Sequence, residues 1–436
     1  MNVPANISPG KFDPTFGNKG VATPKKPPDF SGDLVLRGLM VDKSGRTYIA
    51  GSIGQSTGNA YYLIRLDSDG VHDTRFGQNG YVTGQFEDRV RSHSFADEIV
   101  EQADGKLLLI GSFFQADSKR AIGVVRLDAD GNLDPAFNKT GKVAVYLSDD
   151  ATAHQTHQQL LNATNSKTGS QRSTVLPDGK IVLHTTVGRD GNKVATAVIR
   201  LLPDGTLDNR FSEGKIAYIV HPNFTHTELY DLLPTEEGIY VLAGCVRSNH
   251  PYQAVLNRLT ETGEIDGSFA VGGFEVIDPV VIEPVENPLS VNVLKVIGQT
   301  NKRLLSVGYT EPAHHGVLIS RESDGKPNIQ FNRGKPLPSR LQGADTLWLD
   351  ASIQRSGHIL VAGLSQVSPG FNYVIARFTD DGKLDTDFAD GNGWRMFDME
   401  RGIWWGVAIA EGKMTFLGQR QVDGQRVQCV GRGLIE

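Results

Sequence analysis

The sequence predicts an all-β fold, a seven-bladed β-propeller of four-stranded antiparallel blades, and three observations predict it. One phrase recurs about every sixty residues, a second interleaves with it, and the last copy is cut short at the C-terminus while its missing half stands at the N-terminus. A fixed repeat of this length calls for one supersecondary unit per repeat, each burying its apolar faces against its neighbours.

The first phrase is an apolar run with Arg, a turn ending in Gly, Asp three residues on and Phe three further. Its clearest copies are Arg65-Leu-Asp-Ser-Asp-Gly70 with Asp73 and Phe76, and Arg126-Leu-Asp-Ala-Asp-Gly131 with Asp134 and Phe137. Gly205, Gly263, Gly325 and Gly382 carry Phe211, Phe269, Phe331 and Phe388 in register, and Gly10, Asp13 and Phe16 open the chain. The glycines at 10, 70, 131, 205, 263, 325 and 382 stand 60, 61, 74, 58, 62 and 57 residues apart. The second phrase is an apolar run, a turn Gly and another apolar run that usually ends in Gly, as in Gly105 to Gly111 and Gly357 to Gly363. Its other turns lie at Gly45, Gly179, Gly238, Lys302 and Gly412. Two strands flanking a tight turn read as a hairpin, and two hairpins make a blade with strands A to D.

This places blade one at about 34–83, blade two at 91–147, an insertion at 148–170, blade three at 171–220 and blade four at 226–277. Blade five follows at about 290–337 and blade six at 344–396. Blade seven joins 404–436 to 7–23, because Arg432 lacks the turn Gly that should come after it. The N-terminal strand is expected to close the ring and leave no free sheet edge.

Within each unit the Arg and Asp flank the C to D hairpin and predict an ion pair: Arg65 with Asp73, Arg126 with Asp134, Arg200 with Asp208, Arg258 with Asp266, Arg377 with Asp385, and Arg432 with Asp13 across the chain ends. Blade five loses both members together, to Ser320 and Asn328, as a pair would, since a lone partner is a stranded charge. The repeated Phe reads as a staple between blades, and the Asp-rich turns lack the twelve-residue ligand set of a calcium loop.

Composition narrows the function classes. A net charge of −6 without a basic stripe argues against nucleic acid, and no 18-residue apolar run predicts membrane insertion. Residues 1–10 lack the features of a secretory leader, so the cytoplasm is the expected location, with leaderless export or prior removal of a leader as the alternative. Cys245 and Cys429 sit in apolar runs and read as buried free thiols.

The two phrases resemble the bacterial delta-60 repeat family over nearly the whole chain. That resemblance implies a propeller and a bacterial source; it carries no catalytic residue that transfers.

A function is expected on the face formed by the D to A and B to C connections, which vary in length and include the 148–170 insertion. Eight histidines map there: His93, His154, His157, His221, His226, His250, His314 and His315. None forms a zinc signature; His154, His157 and His226 are the weak metal candidates, and no cofactor is predicted. Counting seven residues back from each second-phrase turn gives a ring at the channel: Gly38, Glu98, Arg172, Asp231, Lys295, Asp350 and Trp405. Its ionisable members and Trp405 are candidates to bind a polar ligand, chiefly on the side of blades two to five. Three readings are open. The first is a non-enzymatic monomeric module presenting the variable face to a protein or glycan partner. The second is a hydrolase or lyase with carboxylates such as Glu98, Asp231 or Asp350 at the channel mouth. The third is a glycan-binding propeller using Phe113, Phe114, Tyr252, Tyr309 and Phe371 as exposed aromatics.

Overall fold

The computed structural model describes residues 11–56, 58–87, 93–114, 120–147, 171–189, 193–235, 240–249, 251–282, 287–367, 370–397, 402–410, 412–422 and 424–435. The 148–170 insertion lies outside the described residues. After β1 (Val21–Ala22) come β2 (Leu34–Val41), β3 (Thr47–Gln55), β4 (Gly58–Leu66) and β5 (Tyr81–Gly84), then β6 (His93–Glu101), β7 (Leu107–Phe114), β8 (Arg120–Leu127) and β9 (Lys142–Tyr146). The same rhythm continues through β10 (Gln171–Val175), β11 (Ile181–Arg189), β12 (Lys193–Leu201) and β13 (Ala217–Ile219), and through β14 (His226–Pro234), β15 (Tyr240–Arg247), β16 (Gln253–Leu259) and β17 (Phe274–Ile277). Next are β18 (Ser290–Gly298), β19 (Leu304–Glu311), β20 (Gly316–Arg321) and β21 (Leu337–Ser339), then β22 (Thr346–Ile353), β23 (Ile359–Val367), β24 (Gly370–Phe378) and β25 (Trp394–Met396). Last come β26 (Gly402–Ala410), β27 (Lys413–Val422) and β28 (Gln425–Leu434). Among the described residues no helix is long and apolar enough to cross a membrane.

Each run of four is an antiparallel meander. The hydrogen-bonded sheets number five among the described residues, because Asn59 pairs with His93 and Val194 with His226 in parallel, and these single contacts fuse two pairs of meanders into eight-stranded sheets. The first strands β2, β6, β10, β14, β18, β22 and β26 each lie against the next, and β26 lies against β2. Their neighbours bury both faces of each meander, so the second strands are buried continuously rather than alternately, as in β11, whose first seven residues are all inside. The apolar cores accordingly sit between units: Leu108, Ile110, Ile122 and Val124 of one pack on Ile181, Leu183, Ala197 and Ile199 of the next.

The chain ends meet as expected. β1 pairs antiparallel with β28 through Val21 with Gly431 and Ala22 with Val430, and Phe12 bridges Gly433. Phe16 and Ala22 share a core with Leu36, Ile49 and Tyr62 of the first unit and with Leu417 and Val430 of the last.

The first phrase proves to be a joint between neighbours. Phe76 is fully buried and packs on the turn of the next unit, where a Cβ on Gly131 would stand 2.9 Å from its ring; Gly131 also holds φ +88°, which favours glycine. The residue after the Phe donates its N–H to that same turn in six units: Gly77 to Asp130 at 2.7 Å, Asn138 to Asp204 at 2.6 Å, Ser212 to Thr262 at 2.8 Å, Ala270 to Asp324 at 2.9 Å, Asn332 to Asp381 at 3.4 Å and, across the chain ends, Gly17 to Asp69 at 2.6 Å. The predicted ion pairs form. Arg65–Asp73, Arg126–Asp134, Arg200–Asp208 and Arg258–Asp266 close at 2.8 Å, Arg377–Asp385 at 2.6 Å and Arg432–Asp13 at 2.9 Å. In the unit that lost both charges, Asn328 Nδ2 donates to Ser320 Oγ at 3.0 Å. One detail differs from expectation: the Asp is not on the fourth strand. It sits in the connection just after the third, where Asp73 N–H bonds the Arg65 carbonyl at 3.0 Å, and the chain passes Phe76 before β5 begins. The Arg is therefore a hub. Arg65 stacks its guanidinium 4.6 Å from the Phe76 ring centroid and donates Nη1 to the Ala129 carbonyl of the next unit at 2.7 Å.

These pairs set the acid response. Burial raises the carboxyls of Asp13, Asp73, Asp134, Asp208 and Asp385, but hydrogen bonds from the residue two ahead and the arginine charge more than offset it; at Asp266 the Ser268 hydroxyl is the largest influence and acts downward. All six lie below the ordinary carboxylate value. A lowered folded pKa contributes stability that is complete above the unfolded value of about 4 and is lost as pH falls through the folded value. Denaturant midpoints should be level from about pH 7 to 5 and fall steeply below about pH 4; a level profile down to pH about 3 would show the pairs contribute nothing.

Candidate functional site

The inner strands share a defect that places the candidate ring. In β2, β6, β14, β18, β22 and β26 the register slips by one residue, between Leu36 and Gly38, Ala96 and Glu98, Leu229 and Asp231, Val293 and Lys295, Trp348 and Asp350, and Trp404 and Gly406. A bulge turns one extra residue out of the ladder and re-aims the residues beyond it. Gly38, Glu98, Asp231, Lys295 and Asp350 thus occupy one equivalent post-bulge position. Trp405 does not. Its hairpin is shorter, with Ala410 pairing directly with Lys413, so counting from the turn overshoots, and Gly406 takes the equivalent place. β10 has no bulge in its described part, and Arg172 simply faces His184. The side chains of Arg172 and Trp405 lie outside the described residues.

The ring residues act first as ties between units. Asp231 is buried, accepts the Val296 N–H at 2.8 Å and stands 3.6 Å from Lys295 Nζ, both on the next inner strand. Bulge residues do the same between the first two units, where Arg37 Nη1 meets Asp97 Oδ1 at 3.2 Å. Asp350 accepts the N–H of Ala351 at 2.9 Å, and Glu98 is half-buried. Asp231 is therefore tied down by a backbone donor and a lysine. Asp231→Ala is expected to cost about 1.5–3 kcal/mol, by stranding the Val296 N–H and the Lys295 charge; a denaturation midpoint matching wild type would return Asp231 to the pool of ligand-binding groups.

Sequence reasoning missed a different cluster, at the loop-bearing end of β14 and β15. Glu228 and Tyr230 lie two apart on β14, and Cys245 and Arg247 two apart on β15, with Glu228 opposite Cys245 and His226 opposite Arg247. The Tyr230 hydroxyl donates to Glu228 Oε2 at 2.9 Å and lies 3.4 Å from Cys245 Sγ. Arg247 approaches Glu228 Oε1 at 3.4 Å and covers the Tyr252 ring at 5.0 Å from its centroid. Burial, then the thiol and the carboxylate, push the Tyr230 phenol far up, so it serves as a donor. Burial and then Arg247 lower His226 against the opposing pull of Glu228, which favours the neutral imidazole. The alternating polar residues at 226, 228 and 230 were the available signal, obscured because they stand apart from the position fixed by distance from the turn.

The remaining candidates separate. Phe113 is fully buried among Phe86 and Tyr146, and Tyr309 is buried as well, because both occupy inward positions of their strands; neither is an exposed glycan platform. Phe114 stacks with His93 at 5.0 Å and with Phe95 at 5.6 Å, and the Phe371 side chain lies outside the described residues. His221 is packed against Phe224 and Phe274, and His314 faces Asp345 at 3.5 Å. His154, His157 and His250 are outside the described residues. Among the described residues no three His, Cys, Asp or Glu are grouped to hold a metal ion. Cys245 and Cys429 are buried and not joined in a disulfide, and burial pushes the Cys429 thiol up to about 12 despite Arg420.

Four segments, residues 43–76, 102–137, 176–211 and 354–388, match a domain of unknown function, DUF5122, described as a beta-propeller. The fold is that of a β-propeller. The match carries that description rather than the delta-60 name, and each segment spans one joint from hairpin turn to stapling Phe. No curated protein sequence matches the chain. Among solved structures the propeller is similar to a polysaccharide lyase (11% identity, 96% of this chain and 93% of that one, TM-score 0.46). It is also similar to the extracellular domains 1–2 of Drosophila Semaphorin 1a (9%, 93% and 87%, 0.47) and to the propeller domain of the Trilobed protease from Pyrococcus furiosus (11%, 91% and 97%, 0.45). At these values none of the three bears on this propeller's activity.

Proposed function

We propose that the chain closes as a seven-bladed propeller and works as a binding module, presenting the face formed by the D to A and B to C connections to a partner. The cyclic series of inner strands and the Phe16–Gly70 joint, which repeats across the chain ends the contact made within the chain, support the closed ring. The observation that carries the function is the contrast between the two faces. On the short-turn face the Arg, Asp and Phe joint repeats from unit to unit with nearly constant geometry. On the other face the unit at β14 to β17 departs from its neighbours with the Glu228, Tyr230 and Arg247 cluster. Repeat packing asks the same of every unit, so a polar cluster in one unit answers to a demand from outside the scaffold. The test is a thermal-shift screen of neutral and acidic oligosaccharides, with hydrogen exchange on any hit. Protection is expected at the start of β14, the end of β15 and around Tyr252; protection confined to the short turns such as 42–46 would refute the assignment of the face.

A further inference from the structure

We infer that the cluster on β14 and β15 is a binding site for a hydroxy acid of the sugar-acid type, a uronate, with Arg247 taking the carboxylate and Glu228 and Tyr230 taking neighbouring hydroxyls. The inference deepens the reading of the loop-bearing face as a binding surface and rests on it.

The chemistry comes from how incompletely the charged groups use one another. Arg247 directs both Nε and Nη2 at a single oxygen, Glu228 Oε1, and both contacts are 3.4 Å. A saturated guanidinium–carboxylate fork makes two parallel bonds at about 2.7–2.9 Å to two oxygens. The second Glu228 oxygen is instead held by the Tyr230 hydroxyl at 2.9 Å. The Arg247 side chain keeps 34% of its surface exposed and Glu228 keeps 20%, so both reach solvent from a half-buried base. Arg247 is held from behind by the Tyr252 ring at 5.0 Å, which fixes its plane without consuming its N–H groups.

A guanidinium edge beside a carboxylate that still accepts, and a phenol whose proton is given to Glu228 while its oxygen still accepts, is a mixed set. It suits a ligand with one negative charge and several hydroxyl donors. A dianion such as phosphate gains from Arg247 but meets Glu228 as a like charge, and a neutral sugar leaves the guanidinium without an anionic partner. A uronate meets each demand: its carboxylate takes the Arg247 fork and its ring hydroxyls donate to Glu228.

The experiment is calorimetric titration of the full chain with glucuronate, its neutral methyl ester and inorganic phosphate. Glucuronate is expected to bind saturably in the millimolar range, the methyl ester and phosphate each at least about tenfold more weakly. Arg247→Gln and Glu228→Gln should each weaken glucuronate by about tenfold or more with far-UV circular dichroism unchanged, while Arg247→Lys, which keeps the charge but loses the fork, falls between. If Arg247→Gln does not fold, the lysine variant alone decides. The inference is overturned if wild type shows no saturable glucuronate binding, if ester or phosphate binds as tightly, or if Arg247→Lys binds like wild type. Should glucuronate fail while another saccharide protects the same face in hydrogen exchange, the uronate assignment falls and the binding-face reading stands. Protection on the short turns would remove both.

Discussion

Replacing Asp13 with Ala is expected to destabilise the propeller by about 3–5 kcal/mol, the largest effect of any single ion-pair substitution in the chain. The partner Arg432 is 1% exposed, and its guanidinium lies 4.3 Å from the Phe16 ring centroid with Nε bonded to Asp13 Oδ2 at 2.9 Å. Burial already pulls the Arg432 pKa below its usual value in spite of Asp13, so removing the carboxylate leaves a buried cation stripped of its bonded anion, with Lys413 nearby to worsen the repulsion. Position matters as much as burial. The other pairs join segments close in sequence, whereas this one ties the N-terminal segment to β28 and helps hold β1 on an otherwise open edge. Asp266→Ala, at a pair whose side chains are each 16% exposed, should cost clearly less, about 1–2 kcal/mol. The neutral pair at Ser320 and Asn328 supplies the control: Asp13→Asn combined with Arg432→Ser should recover much of the loss in a double-mutant cycle. Deleting residues 1–16 removes Phe12, Asp13 and Phe16 together and should yield a chain that aggregates through the exposed edge of β28. Denaturation midpoints and light scattering read both results. A monomeric truncation with the wild-type melting temperature would mean that the segment before β1 does not protect the edge of β28.

The repeat made the joints legible because each is built from residues at fixed sequence offsets. Arg65, Asp73 and Phe76 meet within one connection, and the same eight-residue offset from Arg to Asp recurs, so one copy interprets the others. Even the neutral exception at Ser320 and Asn328 was readable, as a joint loss. The inner ring was legible only in part. A bulge inserts a residue without changing the hydrophobic pattern, so Arg37, Asp97 and Tyr230 in the turned-out position cannot be told by period alone from their neighbours. The Asp231 link to Val296 and Lys295 joins elements 65 residues apart at its closest hydrogen bond, and no local phrase marks it. The fusion of meanders into eight-stranded sheets was equally invisible, because it depends on one parallel contact where two loops happen to bring His93 to Asn59 and His226 to Val194. Glu228 and Tyr230 stand at places that recur on the first strands, but the residue types there change from unit to unit, with Val35, Phe95, Asn292 and Leu347 where Glu228 is, so repetition marks the place and not the chemistry.

Gly111→Ala is expected to destabilise by about 1–3 kcal/mol or more, although alanine is the smallest addition the position allows. The glycine that ends the second apolar run has no unusual backbone angle to explain it. Its reason is the bulge opposite: an added Cβ at Gly111 would lie 1.8 Å from the Phe95 carbonyl oxygen, and the corresponding distances are 2.0 Å at Gly51 from Val35, 2.0 Å at Gly244 from Glu228, 1.8 Å at Gly308 from Asn292 and 1.9 Å at Gly363 from Leu347. The obstacle is backbone, held by the ladder on both sides, so the strand must shift or the bulge must be ironed out. Ironing it out moves Glu98 and every later residue of β6 by one position and turns its buried face outward. The unit that has no glycine there supports this account: Thr185 takes the place, and β10 opposite it pairs from Gln171 onward without a slip. Thr185→Gly should consequently bring no comparable gain, since the described part of β10 opposite it holds no bulge. Denaturant unfolding of the two variants decides the matter. If Gly111→Ala unfolds at the wild-type midpoint, the bulge tolerates a side chain opposite it, and the recurrent glycine needs another cause.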